Sequence, residues 1–378
     1  MLRRGYGFLR SHPDLGKLFW SNAAWTFGAG LYTFVWPNYV RDLGGGPAEI
    51  GYLTALMYGT MAATLLPGGW LADRHERRGL MLLTWGLAAL APLAFLVARS
   101  WGGLIPGVLL YGMFLGWPAM EAYIADAAPP QDLGRAFALT NSGYALGAVL
   151  SPLLGAALLP KVGMRGLFLL AFAFFALSTF LIARMRPQRP RPAAPPAQRG
   201  DRTLLPWILV LVIASAASAG VRTFVPPFLE DVRALSRPGI LAAGALLALG
   251  EFGLAWPLGH WADRGLGRAL ALALALGAAG AGLLLAPWGI VPGLLLLGSD
   301  RVVYSLLRAG IANSVGSRRG RAFGLTQALA TAGQAVGPLA AASLYRANPA
   351  GPLLLGLGIG LALVGPLAWG RRTRSSTR

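Results

Sequence analysis

Six ionisable side chains stand within stretches that are otherwise apolar: Glu121, Arg222, Glu251, Asp300, Arg301 and Arg308. A charge at the centre of a bilayer costs about 3 kcal/mol on insertion scales, so each of these groups is a functional candidate. Glu251 sits among Leu, Ala and Gly, and Glu121 follows Trp117 and Pro118 by about one helical turn. Apolar surroundings favour the neutral carboxyl, which lets such a group take up and release a proton near neutrality. Arg301, Tyr304 and Arg308 are three and four residues apart and share one face of a helix. That face suits an anionic group on a ligand or a carboxylate elsewhere in the protein. A permanent ion pair locking two helices accounts for the same residues, and composition does not choose between the two.

Other chemistries are excluded more firmly. The chain has no cysteine, so disulfides, thiol catalysis and thiolate-bound zinc are ruled out. His12, His75 and His260 have no metal-ligand spacing, and no Gly-Lys-Ser/Thr phosphate loop occurs. No catalytic constellation is visible. The expectation is a non-enzyme without metal or organic cofactor, not driven by ATP, with a proton as its coupling ion.

These candidates are positioned by elements legible in the spacing of the charges. Of 378 residues 55% are hydrophobic, 52 are glycine and only 12% are charged, about half the charged fraction of a soluble domain. A helix needs about 20 apolar residues to cross a bilayer. Stretches free of Lys, Arg, Asp and Glu run from Leu18 to Val40, Ile50 to Ala72, Gly79 to Ala98, Ser100 to Met120, Ala136 to Pro160 and Gly166 to Ala183. Further along come Thr203 to Val221, Pro238 to Ala262 with Glu251 inside, Ala269 to Ser299, Ala322 to Tyr345 and Ala347 to Gly370. The long Ala269 to Ser299 stretch carries a turn signal at Pro287-Trp288-Gly289, so it divides, and its second part continues past Asp300 to about Ala312. Twelve spans result. The basic, then apolar N-terminus is read as the first of them, because its apolar stretch is too long for a signal peptide.

An even number of spans places both termini on one side. With that side cytoplasmic, 23 of the 33 basic residues lie in cytoplasmic segments and seven in outside loops. The net charge of +19 therefore reports topology in a cell membrane and contact with anionic headgroups. The segment from Arg184 to Thr203, rich in Pro and Arg, reads as a semi-rigid linker between a bundle at 1–183 and another at 204–378 that ends in a basic tail. It has no interleaved aromatic residues for base stacking, which argues against a nucleic-acid partner.

The two halves repeat. Gly69-Trp70-Leu71-Ala72-Asp73-Arg74 recurs as Gly259-His260-Trp261-Ala262-Asp263-Arg264 at a shift of 190. Gly134-Arg135-Ala136-Phe137 recurs as Gly320-Arg321-Ala322-Phe323 at a shift of 186, and Gly147 and Pro152 recur as Gly333 and Pro338. Repeated bundles are how secondary transporters enclose a midplane site. The run from Gly69 to Arg78 resembles the signature loop of the major facilitator superfamily, with its echo at Gly259 to Arg268. Glu76 departs from the glycine usual there, which puts the local turn in question.

The resemblance implies an all-α integral membrane protein with twelve transmembrane helices in two homologous six-helix bundles. In this family spans one, four, seven and ten line the cavity, which is where most of the six charges fall. It implies that Gly69 permits close helix approach and that Asp73 caps the eleventh helix near Gly320. Arg74, Arg77 or Arg78 would pair with Asp126, closing a cytoplasmic gate. Asp263 and Arg264 should act likewise, more weakly, since Ala312 replaces the repeat of Asp126. Arg77 and Arg78 are equally explained as charges that set topology. Gly143, Gly147, Pro152 and Gly155 in the fifth span, with Gly333, Gly337 and Pro338 in the eleventh, offer small faces for helix packing and resemble, imperfectly, the motif of drug antiporters. The resulting expectation is a monomeric transporter that exports an amphipathic or drug-like compound in exchange for protons. A sugar, organic-anion or lipid-like substrate is the alternative, and a non-transporting receptor a remote one.

Overall fold

The computed structural model describes residues 2–190, 205–314 and 319–369. All regular elements among them are helical. In chain order they are α1 (Leu2–Ser11), α2 (Pro13–Gly30), α3 (Trp36–Asp42), α4 (Pro47–Ala72), α5 (Arg77–Ala89), α6 (Ala91–Val97), α7 (Ile105–Tyr111) and α8 (Trp117–Ala127). There follow α9 (Leu133–Ala183), α10 (Leu205–Asp231), α11 (Arg237–Leu284), α12 (Ile290–Leu297), α13 (Ser299–Ser314), α14 (Arg319–Ala347) and α15 (Gly351–Trp369). Short 3-10 turns at Thr33–Val35, Trp101–Leu104 and Pro130–Asp132 join some of these.

The spans follow from apolar length. Helical stretches at Pro47–Ala72, Arg77–Val97, Leu133–Ala183, Leu205–Asp231, Arg237–Leu284 and Ile290–Arg308 are long and apolar enough to cross a bilayer. With 51 residues, α9 would extend about 76 Å if straight, more than twice the hydrocarbon thickness. It turns at Gly163, whose φ of 64° is left-handed, so it supplies the fifth and sixth spans. The 48 residues of α11 likewise turn at Gly265 and supply the eighth and ninth. Counted this way, the described helices account for all twelve spans, in the all-α membrane fold the sequence suggested.

Two spans are interrupted at equivalent places. The fourth breaks between α7 and α8, where Gly112 and Gly116 flank the gap, and the tenth breaks at Gly298 between α12 and α13. Gly112 and Gly298 are related by the 186-residue shift of the repeat.

Contacts divide the chain into two compact units, residues 1–44 with 59–196, and residues 45–58 with 197–378. In the first, α2 lies on the first limb of α9. A Cβ on Gly147 would come 2.5 Å from the amide nitrogen of Phe27, and one on Gly143 or Gly155 would meet the carbonyl of Phe19 or Leu31. Pro152 packs beside Gly30 on the same contact. In the second unit α10 lies on α14 in the same manner. A Cβ on Gly333 would lie 2.7 Å from the Val212 carbonyl oxygen and one on Gly337 would meet that of Ala216, while the Pro338 carbonyl lies 2.7 Å from a Cβ on Gly51. The small faces read in the sequence are thus used for backbone-to-backbone packing in both halves.

Candidate functional site

The second unit gathers four of the six intramembrane charges. Arg222 on α10 donates from Nε to Asp300 Oδ2 at 2.8 Å and from Nη2 to Asp300 Oδ1. Its remaining nitrogen, Nη1, donates to Glu251 Oε2 on α11 at 3.3 Å. Ser218, one turn before Arg222, donates its hydroxyl to Asp300 Oδ2 at 2.6 Å. Arg301 and Tyr58 lie close enough to interact electrostatically with Arg222. A single guanidinium therefore serves two carboxylates, unequally. Asp300 holds three hydrogen bonds and its side chain is 13% exposed, whereas Glu251 is 30% exposed and receives one long bond from Arg222.

Two glycines bring the carboxylates together. A Cβ on Gly298, at the break between α12 and α13, would run into the amide of Glu251 and the backbone of Gly250. A Cβ on Gly250 would meet the Leu295 carbonyl. With no side chain on either, α11 touches the break in the tenth span backbone to backbone. Glu251 and Asp300 are thereby delivered to the same guanidinium.

The first unit does not repeat this chemistry. At the repeat shifts, Arg222 corresponds to Tyr32, Glu251 to Met61 and Asp300 to Phe114. Tyr32 is buried in an aromatic cluster with Trp36, Phe95 and Phe168. The amide of Phe114, left over by the break in the fourth span, donates to Thr64 Oγ1 at 3.0 Å. Glu121 belongs to this unit and not to the charged cluster. It accepts from Trp117 Nε1 at 3.2 Å along α8.

On α13, Arg308 lies over the ring of Tyr304 at 5.3 Å, and the Tyr304 hydroxyl donates to Gln327 Oε1 on α14. The shared face of Arg301, Tyr304 and Arg308 is thus split. Arg301 lies near the carboxylates, whereas Tyr304, with Arg308 over its ring, reaches α14.

At the end of the first unit where α4 meets α5, Arg77 is the arginine that reaches Asp126. Buried to 7% exposure, it donates from Nη1 to Asp126 Oδ2, to the Ala122 carbonyl at 3.1 Å and to Gln188 Oε1 at 2.6 Å. Arg78 instead donates to the Met185 carbonyl at 3.0 Å, and Arg74 stacks over Trp70 at 4.3 Å. Glu76 needs no glycine geometry, because its φ of −62° is ordinary. Its carboxylate caps α5 by accepting from the amides of Arg78 and Gly79, both at 2.8 Å.

One expectation for this loop is corrected. Among the described residues no atom lies within 4 Å of a Cβ built on Gly69; the close approach belongs to Gly68, which faces Leu115. Helix rotation decides this, since adjacent residues point about 100° apart. Asp73 is exposed, and residues 315–318, leading into the helix end it was expected to cap, lie outside the described residues. In the echo, Gly259 likewise has no described neighbour within 4 Å of a Cβ, Asp263 is exposed, and Arg264 Nη2 lies 3.4 Å from His260 Nε2.

Ser218, Gln188, Gly250 and Gly298 escaped sequence reading. Ser218 stands four residues before Arg222, and Gly298 repeats Gly112, so signals for both were present. Gln188 carried none.

A sequence model of the Major Facilitator Superfamily matches residues 18–311. An enterobactin exporter, EntS, of Shigella flexneri is 29% identical over 299 residues, covering 66% of this chain and 72% of the relative. Among solved structures, a bacterial homologue of the human lysosomal transporter Spinster, inward-facing and unoccupied, superposes with a TM-score of 0.67 at 18% identity over 95% of this chain and 92% of that one. A mutant form of the nucleoside transporter NupG superposes with a TM-score of 0.75 at 12% identity over 94% of this chain and 99% of that one.

Proposed function

The chain belongs to the major facilitator superfamily and is a multi-pass membrane transporter, not an enzyme, and from that premise we propose that it exports an amphipathic compound in exchange for protons. Similarity to proteins named as enterobactin exporters supports the outward direction. The observation that carries proton coupling is the inequality at Arg222: Asp300 is bound at two points, while Glu251 keeps one long bond and the greater exposure. Protonating Glu251 gives up only that bond and leaves the Arg222–Asp300 pair intact. Glu251 is accordingly the exchangeable carboxyl, Arg222 its charge partner and Asp300 the group that fixes Arg222. We place both termini in the cytoplasm of a cell whose inner membrane holds the protein as a monomer, its basic loops against anionic headgroups.

A second reading, an organic-anion substrate, is favoured by Arg301. Among the described residues it forms no ion pair, and the carboxylates beside it already share Arg222.

Purified protein in proteoliposomes tests the proposal, with ethidium as an amphipathic probe and enterobactin as the relatives' namesake cargo. A pH gradient should drive uptake of one of them into inverted vesicles. Glu251→Gln should leave exchange at equilibrium intact and remove its dependence on the gradient. Unchanged coupling in Glu251→Gln, Glu121→Gln and Asp300→Asn alike sinks proton exchange at these groups.

A further inference from the structure

Immediately after the sixth span the chain leaves helical geometry, yet residues 184–190 are bound to the first unit at every few atoms. Lys17 Nζ donates to the Arg184 carbonyl at 2.7 Å, Arg78 to that of Met185 at 3.0 Å, and the Tyr123 hydroxyl to that of Arg186 at 3.0 Å. Gln188 is held on four sides. Its amide donates to Glu76 Oε1 at 3.0 Å, and its carbonyl accepts the Arg77 amide at 3.0 Å. Its side-chain oxygen accepts from Arg77 Nη1 at 2.6 Å, and Nε2 donates to the Tyr123 carbonyl at 3.3 Å.

The nitrogen of Arg77 that reaches Gln188 is the one that also reaches Asp126. An arginine whose Nη1 is fixed from two sides has little freedom to rotate away from either. Glu76 tightens the arrangement, since one carboxylate caps α5 and anchors Gln188. The residue that departs from the family's usual glycine is therefore the one that clips this strap to the signature loop.

Packing holds the strap only at Met185, which is buried in the core of the first unit. A cavity of about 290 Å³, lined by His12, Asp14, Tyr123, Ala127, Arg186 and Gln188, lies beneath it. At about 30 Å³ per water that space is far from filled by side chains, so beyond Met185 the strap is attached by specific hydrogen bonds. Contacts of this kind are made and broken as a set when one member moves.

We propose that Gln188 is a positioning residue of the Arg77–Asp126 pair, and that the strap at 184–190 and this pair form one switch, docked together and released together. The strap runs directly into the Pro- and Arg-rich stretch between the bundles, so the switch ties the signature loop to the connection between the halves. The inference holds whatever the protein transports.

The absence of cysteine allows a single nitroxide label at Arg189→Cys, an exposed strap position, in otherwise unaltered protein. In lipid nanodiscs the label should be largely immobilised. Asp126→Asn, which alters a bond to Arg77 and not one to the strap, should raise the mobile spectral fraction several-fold, as should Gln188→Ala. The double variant should go no further than the larger single effect, because both release one switch. Gln188→Glu, which keeps the acceptor for Arg77, should stay within about two-fold of the parent. A label unchanged by Asp126→Asn, or single effects that multiply in the double variant, overturns the proposal. Should Gln188→Ala not fold, Asp126→Asn alone still decides.

Discussion

Arg222 and Asp300 meet through two parallel bonds, Nε to Oδ2 at 2.8 Å and Nη2 to Oδ1, with the Ser218 hydroxyl added on Oδ2 at 2.6 Å. Two-point geometry fixes the plane of the guanidinium as well as its distance, which a lysine could not do. The third nitrogen is then aimed at Glu251. The pair is a fixed mount beside a looser contact, so if Glu251 exchanges protons as proposed, the locked ion pair and the proton site, rivals at the level of sequence, are adjacent parts of one cluster.

Breaking the mount should cost more than removing it. Asp300→Asn leaves Arg222 with only the long bond to Glu251, and removing one partner of a buried ion pair typically costs about 3–5 kcal/mol, of which Glu251 should offset a part. Arg222→Gln strands Asp300 and also leaves Glu251 without its arginine. The double variant removes both charges and should recover much of the loss. Thermal unfolding in detergent reads this directly, and strictly additive single effects would show that the two side chains are not coupled in the folded protein.

Gly298→Ala should separate Glu251 from the cluster without touching a charge. The added Cβ meets the backbone of Gly250 and Glu251, which cannot shift as a flexible side chain would. Overpacking of this kind costs about 1–3 kcal/mol. The expected phenotype is weaker gradient dependence of transport, resembling Glu251→Gln, with a modest fall in unfolding temperature. Full coupling in Gly298→Ala would mean that Glu251 acts without being held against the tenth span.

Spans, repeat and charged residues were all legible in the sequence, because lipid enforces a simple rule: charge-free stretches of about 20 residues are helices. The grouping of the charges was not. Which of Arg74, Arg77 and Arg78 meets Asp126 depends on helix rotation, and a step of one residue turns a side chain by about 100°. The same degree of freedom moved the close approach from Gly69 to Gly68. Glu121 looked equivalent to Glu251 by type, yet the unit it belongs to places Tyr32, Met61 and Phe114 where the other places Arg222, Glu251 and Asp300. Gln188 lay in a polar stretch whose composition describes only a linker, so its bonds to Arg77, Glu76 and Tyr123 were not legible there.

The small faces predict parallel losses in the two halves. Gly147→Val drives a branched side chain into the backbone of Thr26 and Phe27, and Gly337→Val drives one into the Ala216 carbonyl. Each should destabilise by about 1–3 kcal/mol or more, since backbone cannot yield as a side chain can. Gly59→Val, where a Cβ meets nothing within 4 Å among the described residues, is the control and should be near neutral. Equal effects at all three positions would mean that glycine content, not these contacts, sets stability.

Two backbone positions should respond with opposite signs. Gly163, at the turn between the limbs of α9, has a φ of 64°, and a Cβ there meets no described atom within 4 Å. Its ψ of −179° places it in a region that is essentially glycine-only, so Gly163→Ala should cost about 1–3 kcal/mol. Ala234 carries the cost of a left-handed residue, about 1–2 kcal/mol: its φ is 51°, just after α10, where the Leu235 amide donates to the Leu229 carbonyl at 3.0 Å. Ala234→Gly relieves it, although glycine also loses more chain entropy on folding, so the net gain should be about 0.5–1 kcal/mol. Unfolding midpoints in one detergent should move down by up to several degrees for the first variant and up by about 2 °C or less for the second. Movement in the same direction would show that the two turns are not held in the left-handed conformation.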